Sequence, residues 1–218
     1  MIKKNLKILI ITSIVTVLPI LAGIILWDKL PEKIPNHWNM AGEVDGWSSK
    51  AFGVFGLPLI LLGIQLLMLF GISSDPKKQN HYGKMLFLSF WLVPVLSVVL
   101  SVITYVTALG GDVSINMILP VIVGLPLVII GNYLPKCKQN YTIGIKIPWT
   151  LNSEENWNKT HRMAGWLWVF GGIVIILSGF ISIVWIMVPI FFVMALAPMI
   201  YSYVLHRKSV KKENENNG

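Results

Sequence analysis

The chain has 218 residues, 55% of them hydrophobic and only 13% charged, with a mean hydropathy of +0.68. A soluble domain is about one quarter charged, so the composition excludes a soluble globular protein and points to an integral membrane protein. The net charge of +8 would suggest nucleic acid in a soluble chain; here the basic residues flank apolar stretches and read as orientation signals, so no direct nucleic-acid binding is expected.

Crossing a hydrocarbon core of ~30 Å takes roughly 20 apolar residues. Six stretches meet this in chain order: about Leu6–Trp27, Phe52–Ile72, Met85–Leu109 and Ile115–Leu134, then two spans within one run from Ala164 to Leu205 that must reverse near Gly179–Ser182. The N-terminus MIKKNLKILIITS has a signal-peptide-like charge pattern, but its apolar run is long enough to span, and it is read as a retained first helix. Prolines inside the spans, such as Pro19, Pro94 and Pro198, predict kinks. The expected fold is therefore an all-α polytopic bundle of six transmembrane helices in the cell membrane. Its parts are an N-terminal pair (residues 1–72), a four-helix part (73–205) and a disordered polar tail (206–218).

With the N-terminus inside, all of the 18 Lys and Arg residues except Lys29, Lys33 and Lys50 fall in cytoplasmic segments, from Lys3, Lys4 and Lys7 to Arg207, Lys208, Lys211 and Lys212. Positive loops stay in the cytoplasm, and an even number of spans then puts both termini there. The connection 28–50 faces outward and the segment 135–163 inward.

The outer connection carries Asp28, Glu32, Glu43 and Asp45 against three lysines, with Trp27, Trp38 and Trp47 suited to the water–lipid boundary. Pro31 and Pro35 favour extended neighbours; Asp45-Gly46 and Gly42 are turn signals, which gives a compact folded-back loop. In the inner segment, Thr142–Ile147 alternates and reads as extended or interfacial. Asn152 or Ser153 can cap a following helix, with Glu154 and Glu155 in its first turn and Glu155–Lys159 as an i,i+4 pair. Trp157, His161, Ala164 and Trp168 share one face of that helix, which continues into the fifth span. Trp149, Trp157 and Trp166 are expected to anchor the inner interface.

Several chemistries lack their residues. The span interiors hold no Asp, Glu, Lys, Arg or His, against a proton-coupled pump, and there is no P-loop. Gln65, Asn116 and Asn132 read as interhelical hydrogen bonds rather than a transport site. His37, His81, His161 and His206 show no zinc-hydrolase spacing; His37 with Glu32, Glu43 and Asp45 reads as a solvated loop rather than a metal site. The lone Cys137 cannot form an internal disulfide. No enzyme, metal or cofactor is expected.

Two stretches carry a family resemblance. LPEKIPNHWNMAGEVDGWSSK (30–50) resembles the N-terminal domain of unknown function of SdpI-type membrane proteins of Gram-positive bacteria. GNYLPKCKQNYTIGIKIPWTLNSEENWNKTHRMAG (131–165) resembles the second half of that family, including its PWTL motif at Pro148, Trp149, Thr150 and Leu151. The resemblance covers nearly the whole chain and implies immunity: resistance to a secreted antimicrobial peptide toxin, with signalling in which the membrane protein holds an autorepressor at the inner surface. Motif match and side-chain chemistry then nominate Glu32, His37, Trp38, Glu43, Asp45 and Trp47 as toxin contacts. Lys146, Pro148, Trp149, Thr150, Trp157, His161 and Arg162 are the candidates for a cytoplasmic partner. The competing reading is a transporter of a small molecule or lipid, with a midplane cavity lined by Gln65 or Asn116.

Overall fold

The computed structural model describes residues 5–80 and 83–216; Lys3, Lys4, His81 and the last two residues of the tail lie outside them. The elements are α1 (Leu6–Ile25), β1 (Lys33–Trp38), β2 (Val44–Ser49), a π-helical turn (Phe52–Gly56) leading into α2 (Leu57–Ser74), α3 (Lys84–Ala108), α4 (Ile115–Tyr133), the short α5 (Pro148–Asn152), α6 (Glu154–Phe180) and α7 (Met187–Asn216). Among the described residues six of these helices are long and apolar enough to cross a membrane. They fall on the six expected spans. Large side chains such as Ile25, Leu67 and Phe70 remain 73%, 72% and 65% exposed, an apolar surface suited to a lipid surround.

Three features differ from the sequence reading. The outer connection is an antiparallel β-hairpin, so the fold is not wholly helical. Its turn lies at Asn39–Glu43, where Gly42 has φ +84°, while Asp45-Gly46 sits inside β2. Gly46 is needed there because a Cβ would come within 2.6 Å of the His37 Cβ. The polar tail is helical to Asn216. Nothing after Pro198 breaks α7, and Lys211 and Glu215 face each other one turn apart at 3.8 Å. The π-helical turn before α2 has a local cause: Pro58 lacks an N–H and its ring crowds the preceding turn, which widens.

The chain divides into two compact units, one holding residues to Ser73 and Leu86–Ile122, the other Ser74–Met85 and Val123 onward. In the first, α3 groups with α1 and α2, although the sequence reading placed a break after residue 72. Gln65 of α2 is fully buried; its amide donates to Thr12 Oγ1 at 2.9 Å and its carbonyl accepts from the Thr16 hydroxyl at 2.5 Å. Ser97 and Tyr105 of α3 donate to the carbonyls of Thr16 and Pro19 on α1 at 2.7 and 3.1 Å. The apolar base of the hairpin, Leu30 and Ile34, packs with Val54 and Tyr105.

In the second unit, α4 and α6 meet backbone to backbone. A Cβ on Gly124 would lie 2.6 Å from the Gly172 carbonyl oxygen, and one on Gly165 would lie 2.8 Å from that of Gly131. The glycine pairs recur seven residues apart on both helices, a spacing that keeps the contact on one face. Helix α6 is tied to α7 by Asn156, whose amide donates to the Ser202 carbonyl and accepts from the Ser202 hydroxyl at 2.9 and 2.6 Å.

These contacts predict an order of effects. Gly165→Leu should lower stability in detergent by about 1–3 kcal/mol, since neither backbone nor Pro135 can give way. Gln65→Leu should cost about 1 kcal/mol or less, the size of an interhelical hydrogen bond in membranes. Denaturant titration of the purified variants checks this; a Gly165→Leu loss no larger than that of Gln65→Leu would show that close helix approach is not what holds α4 to α6.

Candidate functional site

Two polar surfaces interrupt the apolar body. The first is the hairpin. Its strands pair from Lys33 opposite Ser49 to Trp38 opposite Val44, with register irregularities on either side of His37. From the turn residue Glu43 through strand β2 exposure alternates: Glu43, Asp45 and Trp47 are exposed, and Val44, Gly46 and Ser48 are half-buried. The Asn39 side-chain oxygen accepts from the Ala41 and Glu43 amides at 2.9 and 3.0 Å and holds the turn. Asn116 donates to the Ala41 carbonyl at 3.0 Å; it therefore braces this turn instead of bonding between helices.

Lys50 fixes the base of the hairpin. Almost wholly buried, it meets Glu32 at 2.9 Å, donates to the Trp27 carbonyl at 3.2 Å and lies 5.2 Å from the Trp27 ring centre. His37 Nδ1 stands 2.5 Å from Asp45 Oδ1. Of the nominated outer residues, Glu32, His37, Glu43, Asp45 and Trp47 are exposed and Trp38 is half-buried.

The second surface is built on the irregular stretch after α4. Irregular backbone carries no ladder, so side chains must satisfy its polar groups. Asp75 does part of this: its carboxylate accepts from the Lys77 and Tyr141 amides at 2.7 and 2.9 Å and from the Thr142 hydroxyl at 2.5 Å. Asn140, fully buried, accepts from the Thr142 and Ile143 amides and donates to the Lys138 and Ile143 carbonyls, at 2.6–2.9 Å. The Gln139 amide donates to the Thr150 and Leu151 carbonyls at 2.8 and 2.9 Å, and its oxygen accepts from Lys77. None of these three anchors is apparent from composition; the one local signal is that Asp75 and Asn140 stand at turn-forming positions where a short polar side chain can reach amides two or three residues on.

The PWTL motif closes the stretch. Pro148 opens α5, where a missing N–H costs nothing. Thr150 Oγ1 donates to the Ile145 carbonyl at 2.7 Å and accepts from the Ile147 amide at 3.1 Å. Trp149 packs on Tyr203 and His206 of α7, with ring centres 5.1 and 6.3 Å away. Ser153 caps α6, accepting from the Asn156 amide at 3.2 Å, and Glu155 pairs with Lys159 at 2.6 Å.

Trp157 and His161, expected at a partner surface, are internal: both are 0% exposed, stacked at 4.0 Å. The Trp157 indole donates to the Cys137 carbonyl at 2.7 Å. His161 Nε2 accepts from the Ile145 amide at 3.0 Å, so its proton is on Nδ1, which donates to the Trp157 carbonyl at 2.9 Å. The helical face that the sequence singles out is thus covered by the protein's own loop. Thr150 is also fully buried. Lys146, Pro148 and Arg162 are exposed and Trp149 is half-buried.

Gly144 is where loop and helix come closest. Its φ is +119°, and a Cβ would lie 2.5 Å from His161 Nε2 and 3.1 Å from the Trp157 ring. Gly144→Ala should therefore open the loop. Cys137 reports on it: the thiol is buried, and burial raises its pKa above the ordinary thiol value. The wild-type thiol should resist a maleimide reagent even at pH 8.5, and Gly144→Ala should label at least tenfold faster. Equal labelling rates would show that the loop does not depend on this contact.

Comparison with known proteins covers both surfaces. Residues 136–202 match the SdpI/YfhL protein family, and residues 14–62 match a domain of unknown function, DUF1648. The chain is 31% identical to Immunity protein SdpI of Bacillus subtilis (strain 168) over 209 residues, covering 94% of this chain and 97% of that protein. No solved structure matches. Six membrane-length apolar helices and this near end-to-end match together place the chain, a multi-pass membrane protein, in the SdpI family.

Proposed function

We propose that this protein is an integral membrane immunity protein that makes its cell resistant to a secreted antimicrobial peptide. The observation that carries the reading is the end-to-end match to a protein named for immunity. The hairpin supports it. Glu43, Asp45 and Trp47 project from a two-stranded platform whose base is buried, with Met40 63% exposed at the turn. Carboxylates interleaved with an indole and a thioether suit a cationic, amphipathic peptide: charge steers the encounter and the apolar groups supply the contact area. Glu32 is engaged by Lys50 and His37 by Asp45, so these two shape the platform as well as bordering it. The distribution of Lys and Arg supports a reading in which this face lies outside the cell and both termini lie in the cytoplasm.

In the same reading the inner segment meets a transcriptional repressor. The residues available for that are Lys146, Pro148, Trp149 and Arg162, with Trp149 beside Tyr203 and His206 of α7; Trp157, His161 and Thr150 contribute by holding the segment's shape. The transport alternative calls for a polar midplane cavity at Gln65 or Asn116. Gln65 is instead enclosed by its bonds to Thr12 and Thr16, and Asn116 bonds to the hairpin turn.

Expression in a cell sensitive to the peptide tests the reading. The wild-type protein should raise survival. Trp47→Ala should weaken peptide capture by about 2 kcal/mol, roughly 30-fold, at unchanged membrane level. No gain in survival from the correctly inserted wild-type protein would refute resistance to that peptide. For the signalling step, Trp149→Ala should reduce the repressor that sediments with membranes while leaving survival unchanged; an unaltered amount would remove Trp149 from that role.

A further inference from the structure

Beside the α4–α6 crossing lies a groove of about 560 Å³ whose two ends differ in chemistry. Toward the middle of the helices it is walled by Val128 and Ile129 of α4 and Val169 of α6. Toward their polar ends it is bordered by Asn132, Arg162 and Trp166. Gly131 and Gly165 line it with backbone alone, so the close approach of the helices leaves space beside it. Arg162, Trp166 and Val169 form one stripe of α6, and a rise of ~1.5 Å per residue sets Arg162 about 10 Å from Val169 along the axis.

The polar end is strongly cationic. Tyr133, which also lines the groove, has the Lys136 and Lys84 ammonium groups 4.9 and 5.6 Å from its ring centre. Ion pairs join Asp45 to His37, Glu32 to Lys50, Glu155 to Lys159 and Glu215 to Lys211; Arg162, Lys136 and Lys84 take part in none of these. A guanidinium lining the groove, with two ammonium groups close to a tyrosine ring that also lines it, calls for an anion, and apolar walls running into the membrane-spanning part of the helices call for a hydrocarbon chain.

We propose that this groove holds one anionic phospholipid of the surrounding bilayer. Its phosphate lies against Arg162, within reach of Lys136 and Lys84, and one acyl chain runs along Val128, Ile129 and Val169. A free phosphate or nucleotide would satisfy the cations and leave the apolar walls uncovered; a zwitterionic lipid would fill the walls and leave the cations unbalanced. Trp166 and Tyr133 stand at the mouth, where aromatic side chains meet the headgroup layer, and basic pockets between membrane helices are suited to anionic headgroups. This assignment is independent of the toxin reading.

Native mass spectrometry of the full-length protein, incubated with equal amounts of phosphatidylglycerol and phosphatidylcholine of the same chains, tests it. The wild-type protein should retain the phosphatidylglycerol adduct in clear preference. Arg162→Gln should reduce that preference about fivefold, the size expected for one cation near an anionic headgroup, and Lys136→Gln, on an exposed side chain, gives the same test should Arg162→Gln fail to insert. Ile129→Trp, which fills the channel, should lower retention of both lipids. The double variant Lys208→Gln, Lys211→Gln, with charges removed far along α7, should change nothing. The proposal fails if the wild-type protein retains both lipids equally, or if removing the α7 charges lowers the preference as much as Arg162→Gln. It also fails if Ile129→Trp leaves the adduct intact, or if excess inorganic phosphate displaces it.

Discussion

A hydrocarbon layer offers no hydrogen bonds, so a polar group placed in it must find a partner inside the protein. Most of this structure follows from that. The span interiors lack Asp, Glu, Lys, Arg and His, and several of the polar groups they do carry are spent on neighbouring helices: Gln65 on Thr12 and Thr16, Ser97 and Tyr105 on carbonyls of α1. Among the described residues the buried Ser101 and Thr107 hydroxyls and the Trp91 indole are the exceptions, all on α3. Apolar packing alone gives little preference between helix and lipid, which is why paired polar groups and glycine-to-glycine contacts recur at the places where helices meet.

The same constraint shapes the polar ends. The stretch after α4 has little regular structure, yet Asp75, Gln139, Asn140 and Thr150 satisfy many of its amides and carbonyls, and Trp157 and His161 satisfy others. Beneath this framework lie the stacked Trp157 and His161 of α6, covered by Gly144 and Ile145 of the loop. The hairpin is simpler: Leu30, Ile34 and the buried stem of Lys50 fix its base, and Asp45 and Trp47 of β2 stand exposed away from it.

Local patterns were legible in the sequence. Long apolar runs gave the six helices, the reversal after Phe180 was placed within its four-residue window, and Ser153 and the Glu155–Lys159 pair took their expected roles. The hairpin was not, because pairing between residues 33–38 and 44–49 is non-local and Pro35 and the Asp-Gly dipeptide both resemble loop chemistry. Nor was the burial of Trp157 and His161. A helical face of aromatic and basic residues looks the same whether lipid, a partner or the chain's own loop covers it, and only the path of residues 137–147 decides which. Asp75, 66 residues before the Tyr141 amide it accepts from, could not be linked to it by any periodicity.

The PWTL segment changes meaning once its contacts are seen. Proline starts a turn, threonine seals two backbone groups and tryptophan reaches the last helix, so the four letters encode masonry. Exchanging any of these three side chains would therefore disturb the course of the backbone around residues 145–153 before it altered any exposed group.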